Sequence, residues 1–95
     1  MKLRLSPRAK ADLDSIHLHG EERFGQAAAD AYINEIAAKF SLLLAFPLSN
    51  PLRSEIRPPV RLQSHKGHVI MYRVEAEYII VGRILSRFQN WQDET

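Results

Sequence analysis

The chain has 95 residues, a length that fits one domain, and residues 1–95 are read as a single unit. Its 45% hydrophobic and 25% charged residues exclude a disordered chain, and the lack of cysteine excludes a disulfide framework and thiolate chemistry. A formal net charge of +2 decides little about partners by itself.

Residues 2–5 alternate Lys, Leu, Arg, Leu, which predicts a short strand with Leu3 and Leu5 facing inward. Ser6 is a good helix N-cap, and Pro7 suits the first helical position, where its missing N–H costs nothing. Ala9, Leu13, Ile16, Gly20 and Phe24 then recur on one helical face, and Gly25 ends the helix. Asp12 and Asp14 lie near its start, where the helix dipole favours carboxylates. A second helix is expected over residues 26–46, with Ala29, Ile33, Ile36, Phe40 and Leu43 as its main stripe and Tyr32 widening it. Pro47 closes it, and the single glycine between the helices predicts an antiparallel hairpin.

Residues 47–59 hold four prolines and no periodicity, so they read as an ordered connector. A strand over residues 60–64 and a turn over residues 65–67 follow. The stretch VIMYRVEAEYIIVGRIL, residues 69–85, reads as two strands around a turn near Glu75 and Ala76, with Gly82 marking a bulge. Residues 87–95 are polar apart from Phe88 and Trp91, and Trp91 is expected to anchor this tail. The order β-α-α-β-β-β predicts an α+β fold, a mostly antiparallel sheet packed on an N-terminal helix hairpin; adjacent helices exclude a doubly wound parallel sheet. Both parities of residues 69–85 carry apolar side chains, and the helix hairpin can cover one face only. The other face is therefore expected to stay open for a partner, making the isolated chain prone to self-association.

The MKLRLSPRAKADL start has no apolar core of a secretion signal, and no apolar run reaches a membrane span of roughly 20 residues. A cytoplasmic location without membrane partners is the expectation. Charge is distributed unevenly. Residues 1–47 carry six basic and six acidic residues, whereas residues 53–87 carry seven basic against three acidic ones. This excess suits an acidic protein surface or a polyanion as well as a solvated sheet face. The basic set includes the arginines Arg57, Arg61, Arg73, Arg83 and Arg87. Arginine offers a planar fork for carboxylate or phosphate, and its charge is costly to bury unpaired. Pairing with Glu55, Glu75 or Glu77, exposure to solvent and contact with an anionic partner all remain open.

Other groups promise less chemistry. His17 and His19 are two apart on a helix and do not share a face, so no metal site is expected. His65, Lys66 and His68 cluster in a turn, where acid–base work competes with plain turn polarity. No P-loop, nucleophile elbow or dinucleotide fingerprint is present, so no cofactor is expected.

Five strings appear in an order that resembles the ParE/RelE superfamily of bacterial toxin–antitoxin toxins, and its ParE branch in particular. They are LSPRAKADLDSI (residues 5–16), ERFG (22–25), FPLSNPLRSEIRPPVR (46–61), HVIMYRVE (68–75) and GRILSRFQNW (82–91). Together they span about residues 3–91. The chain departs from the family pattern at Asn50 and Pro59, which stand for glycines, and at Gly82, which stands for valine. It departs again at Ser86, Arg87 and Asn90, which replace the usual His, Gly and Asp.

The resemblance implies a type II toxin that arrests growth by binding DNA gyrase, without chemistry of its own, and that a cognate antitoxin neutralises. Sequence-specific nucleic-acid binding is not expected. The target or antitoxin contacts it suggests are Arg57, Arg61, Met71, Arg73, Arg83, Arg87 and Trp91. One alternative is a RelE-like, ribosome-dependent mRNA endonuclease; Ser86, where that branch often has His or Tyr, weighs against it. The other is a superfamily member that binds antitoxin but has lost toxicity.

Overall fold

A computed structural model describes residues 1–87. The chain runs through β1 (Lys2–Leu5), α1 (Pro7–Phe24), α2 (Gln26–Ala45), β2 (Leu52–Arg53), β3 (Val60–His65), β4 (His68–Glu75) and β5 (Tyr78–Ser86). These form a five-stranded sheet in the order β1-β5-β4-β3-β2. Two-residue turns at Lys66–Gly67 and Ala76–Glu77 make β3, β4 and β5 an antiparallel meander, and β1 joins the outer side of β5 in parallel. The expected α+β layout holds. The addition is β2 inside the proline-rich connector, where Leu52 pairs with Arg61 and Arg53 with Val60. Two residues are too few to show alternation, so only pairing reveals this strand.

Local chemistry explains the helix boundaries. Ser6 is extended, and its Oγ accepts a hydrogen bond from Ala9 N at 3.0 Å while donating one to Gly82 O at 2.7 Å. Gly25, at φ 90° and ψ 165°, occupies backbone space that side chains disfavour, and so lets α2 reverse directly onto α1. At Gly20 the two helices approach so closely that an added Cβ would lie 3.3 Å from Ala29 Cβ.

Gly82 forms the expected bulge. Met71 pairs with Arg83 and Tyr72 with Val81, leaving Gly82 without a partner. The extra residue changes the parity of β5. Val81 and Ile84, three apart, both enter the core beneath the helices with Ile36, Leu43, Ile70, Tyr72 and Ile79. Arg83 and Leu85 consequently fall on the opposite face.

That opposite face corrects an expectation. It is not left wholly open, because the connector folds back and seats Ile56 with Val60, Met71 and Leu85 in a second cluster flanked by Leu62. Burying an isoleucine of this kind stabilises by about 1.5–3 kcal/mol. The exposed large apolar residues lie elsewhere, including Phe46, Leu48 and Leu52 around the end of α2 and the connector.

Side-chain hydrogen bonds hold the connector in addition to its backbone turns, Ser49 N to Phe46 O and Ile56 N to Arg53 O. Asn50 Nδ2 donates to Gln63 Oε1 at 2.9 Å and to Tyr72 Oη at 3.0 Å, and Arg61 donates to the Asn50 carbonyl. Asn50 thus stands in place of a glycine as a hydrogen-bonding bridge; its backbone is not left-handed. Pro59 is accommodated at negative φ, after a cis Arg57–Pro58 bond.

Candidate functional site

The bulge and the folded connector leave a cleft of about 410 Å³ on the sheet face away from the helices. Pro58, Val60, Met71 and Ile80 give it apolar walls, and Arg8, Arg73 and Arg83 line it as well. Arg8 comes from the first turn of α1, Arg73 from β4 and Arg83 from β5 just past the bulge. A second cleft, of about 380 Å³, lies around Leu48, Leu52, Pro59, Arg61, Val74 and Glu75, and also includes Pro58 and Arg73.

Arg83 is fixed by an acid that the sequence placed elsewhere. Its Nε and Nη2 donate to the two Asp12 oxygens at 2.9 and 3.1 Å, a two-pronged pair with both side chains mostly buried. Asp12 also accepts from Ile84 N at 2.8 Å. β1 ends at Leu5, so the edge of β5 beyond Val81 lacks a neighbouring strand there. Asp12 supplies the acceptor that a longer β1 would have offered. Its work is therefore tertiary, not the helix-dipole role expected from its place near the helix start.

The remaining arginines separate. Arg73 Nε lies 3.6 Å from Glu75 Oε1, and Arg53 Nη1 lies 3.8 Å from Glu55 Oε2, so Glu75 and Glu55 act as internal partners. Arg57 is exposed beside Pro58. Arg87 lies outside both clefts and donates to the Lys66 carbonyl at 3.2 Å. Met71 is 3% exposed, so it contributes to the cleft floor and to the core rather than a projecting contact. Trp91 lies outside the described residues. Of the suggested contacts, the fold brings Arg61, Met71, Arg73 and Arg83 to the clefts and leaves Arg57 and Arg87 apart from them.

A second polar constellation clasps the β3–β4 turn to α2. Tyr32 Oη lies 2.6 Å from His68 Nδ1, while Glu35 Oε1 meets His65 Nε2 at 2.9 Å and Lys66 Nζ at 2.8 Å. Burial lowers the His68 pKa, and the neighbouring His65 lowers it further. The hydrogen bond from Lys66, then that from His65, lowers the Glu35 pKa, and Glu35 in turn raises that of Lys66. Desolvation raises the Tyr32 pKa. A cavity of about 740 Å³ opens beside this clasp, between Ile16, Gly20, Phe24, Ala28 and Tyr32. Tyr32 and Glu35 carried no signal of this in the sequence, where Tyr32 read as part of an apolar stripe.

His17 and His19 do not converge. His17 bridges Glu21 at 3.0 Å and Asp30 at 2.7 Å, and the Asp30 hydrogen bond raises its pKa, whereas His19 meets Ser15. Among the described residues no cluster of His, Cys, Asp or Glu is arranged to hold a metal, and no helix is long and apolar enough to cross a membrane.

Comparison with known proteins adds a family. The model of the "ParE toxin of type II toxin-antitoxin system, parDE" matches residues 3–91. Toxin ParE1 of Caulobacter vibrioides is 34% identical over 87 residues, covering 92% of this chain and 90% of that toxin. Toxin ParE1 of Mycobacterium tuberculosis is 35% identical over 82 residues, covering 85% of this chain and 84% of its own. A solved structure described as the chromosomal ParDE TA system from P. aeruginosa superposes with a TM-score of 0.79 at 25% identity. That match covers 90% of this chain and 95% of the other.

Proposed function

This chain belongs to the ParE toxin family of type II toxin–antitoxin systems, and from that premise we propose that it binds DNA gyrase in the cytoplasm and is neutralised by a cognate antitoxin. One observation carries the choice of binding over chemistry. The cleft on the sheet face away from the helices is lined by arginines, prolines and aliphatic side chains, together with Ser6, Gly82 and the fully buried Tyr72. Arginine stays protonated at all physiological pH and does not exchange protons with a substrate. Such a surface grips carboxylates and apolar groups; it does not cut bonds by acid–base transfer.

Expression of the chain alone is expected to arrest growth, and the purified protein to inhibit supercoiling by gyrase. Co-expression of the product of an adjacent small reading frame should restore growth. Growth arrest with untouched supercoiling would overturn the gyrase assignment, and absence of arrest would favour a member that binds antitoxin but has lost toxicity.

A second reading, RelE-like mRNA cleavage, is favoured by one feature. The clasp brings Tyr32, Glu35, Lys66 and His68 to the edge of an open cavity, with His65 hydrogen-bonded to Glu35 behind them. Transcripts that stay intact on ribosomes after induction would remove it.

A further inference from the structure

We propose that the cavity between the two helices and the β3–β4 turn binds a small planar aromatic acid of single negative charge. This cavity, of about 740 Å³, shares no lining residue with the two arginine-bearing clefts on the sheet. Small-molecule sites are typically concave and mostly apolar, with a few convergent polar groups. The site stands whether or not gyrase is the target.

Small residues make the space. At Gly20 the helices approach so closely that an added Cβ would meet Ala29 Cβ at 3.3 Å. Beside that contact α2 presents Ala28 and Ala31, both exposed, whose methyl groups leave a shallow trough. Two rings line the same space. Phe24, at the end of α1, is 72% exposed, and Tyr32 comes from α2. The Tyr32 ring is held in place, edge-on to His68 at 5.5 Å between centroids and with its hydroxyl 2.6 Å from His68 Nδ1. A wall that is already ordered loses little freedom on binding. Methyl groups below and ring surfaces beside favour a flat apolar body, because aromatic pairs prefer offset or edge-on contact.

Charge selects the acid. The Arg23 guanidinium lies 5.8 Å from the Phe24 ring centre, and Lys66 Nζ lies 5.8 Å from the Tyr32 ring centre. Each cation therefore stands beside a ring, where the carboxylate of a stacked aryl acid would lie. Lys66 is already paired with Glu35 at 2.8 Å. Arg23 meets a ring rather than a carboxylate among the described residues, so its planar fork can take the ligand's acid group. Glu35 lines the same cavity and repels a second negative charge, which favours a monoanion over a phosphate dianion.

The full chain, labelled with nitrogen-15, is titrated with sodium 2-naphthoate and followed by its amide NMR signals. Saturable shifts are expected at Gly20, Ala28, Ala31 and Gly67, with a Kd of about 1 mM or tighter. Arg23→Glu should weaken binding about tenfold, and Arg23→Lys, which keeps the charge but loses the fork, about threefold. The neutral isostere 2-naphthalenemethanol should also bind about tenfold more weakly. Ala31→Phe fills the trough from an exposed position and should cost about tenfold, with circular dichroism melts confirming that each variant is folded. Arg73→Ala, in the sheet clefts, should leave the Kd within about twofold. Absence of saturable shifts, or shifts centred on Gly82 and Arg73 instead, overturns the proposal. Equal binding of the alcohol removes the acid from it, equal or tighter binding of decanoate removes the ring, and tighter binding of adenosine monophosphate removes the single charge. Each of these results refutes the site as stated. A single-stranded RNA hexamer that displaces naphthoate at lower concentration than naphthoate itself binds also refutes it, and would point to the cleavage reading instead.

Discussion

Replacing Asp12 with alanine should cost about 3–4 kcal/mol of folding stability, far more than a substitution near a helix start ordinarily does. The carboxylate accepts from Arg83 Nε, Arg83 Nη2 and Ile84 N, at 2.9, 3.1 and 2.8 Å. Deleting one partner of a fully buried ion pair costs about 3–5 kcal/mol. Asp12 and Arg83 side chains are 16% and 13% exposed, so water reaches both and the loss falls to about 2–3 kcal/mol. The orphaned Ile84 amide adds about 1 kcal/mol. In a domain of this size such a loss lowers the melting temperature by roughly 12–32 °C. Asp12→Asn keeps an oxygen for Ile84 and should lose about half as much. Urea denaturation of Asp12→Ala, Arg83→Met and the double variant measures the coupling. The double variant should be more stable than the two single losses added together predict, by about 1.5 kcal/mol or more. Additivity within about 0.5 kcal/mol, or a single loss below about 1 kcal/mol, would refute the reasoning.

Ser6→Ala removes both the N-cap to Ala9 and the tie to Gly82 O, with an expected loss of about 1–2 kcal/mol by urea denaturation. Asn50→Ala unties the connector from Gln63 and Tyr72 and should lower stability by about 1–3 kcal/mol, with increased proteolysis between residues 46 and 59. Gly82→Ala meets only Met71 O at 4.0 Å, at a φ outside the left-handed range, so it should raise stability by about 0.4–1 kcal/mol in the same assay. The pH dependence of His68 has a definite sign. Its folded pKa lies below the ordinary 6.5, so between that lowered value and 6.5 the unfolded chain binds more protons. Stability should therefore fall as pH drops through this window, and His68→Gln should remove that part of the loss. Melting curves from pH 7.5 to 5 with equal slopes for both proteins would count against it.

Much of the architecture was legible because it is written in short spacings. Ser6-Pro7 opens a helix by its own cap geometry, Gly25 reverses the chain at an angle that side chains disfavour, and alternating residues define strands wherever they are long enough. The Gly82 bulge was legible for the same reason, as a residue that adds nothing to a strand except freedom. What the sequence could not show was which distant partners these elements would meet. Asp12 looked like a helix-start acid, yet 71 residues separate it from the Arg83 it holds. Ile56, in a connector without periodicity, turned out to cover part of a face expected to be open. Tyr32 looked like part of an apolar stripe and nothing marked Glu35 until the β3–β4 turn was laid across them. Local propensity depends on neighbours within a turn or two of backbone, so a single sequence expresses it directly. Pairing across the sheet depends on register, on the parity that one bulged residue sets, and on where a proline-rich connector finds its apolar contacts. Those are settled only when the whole chain packs, and they decide which arginines line the clefts and which are held elsewhere.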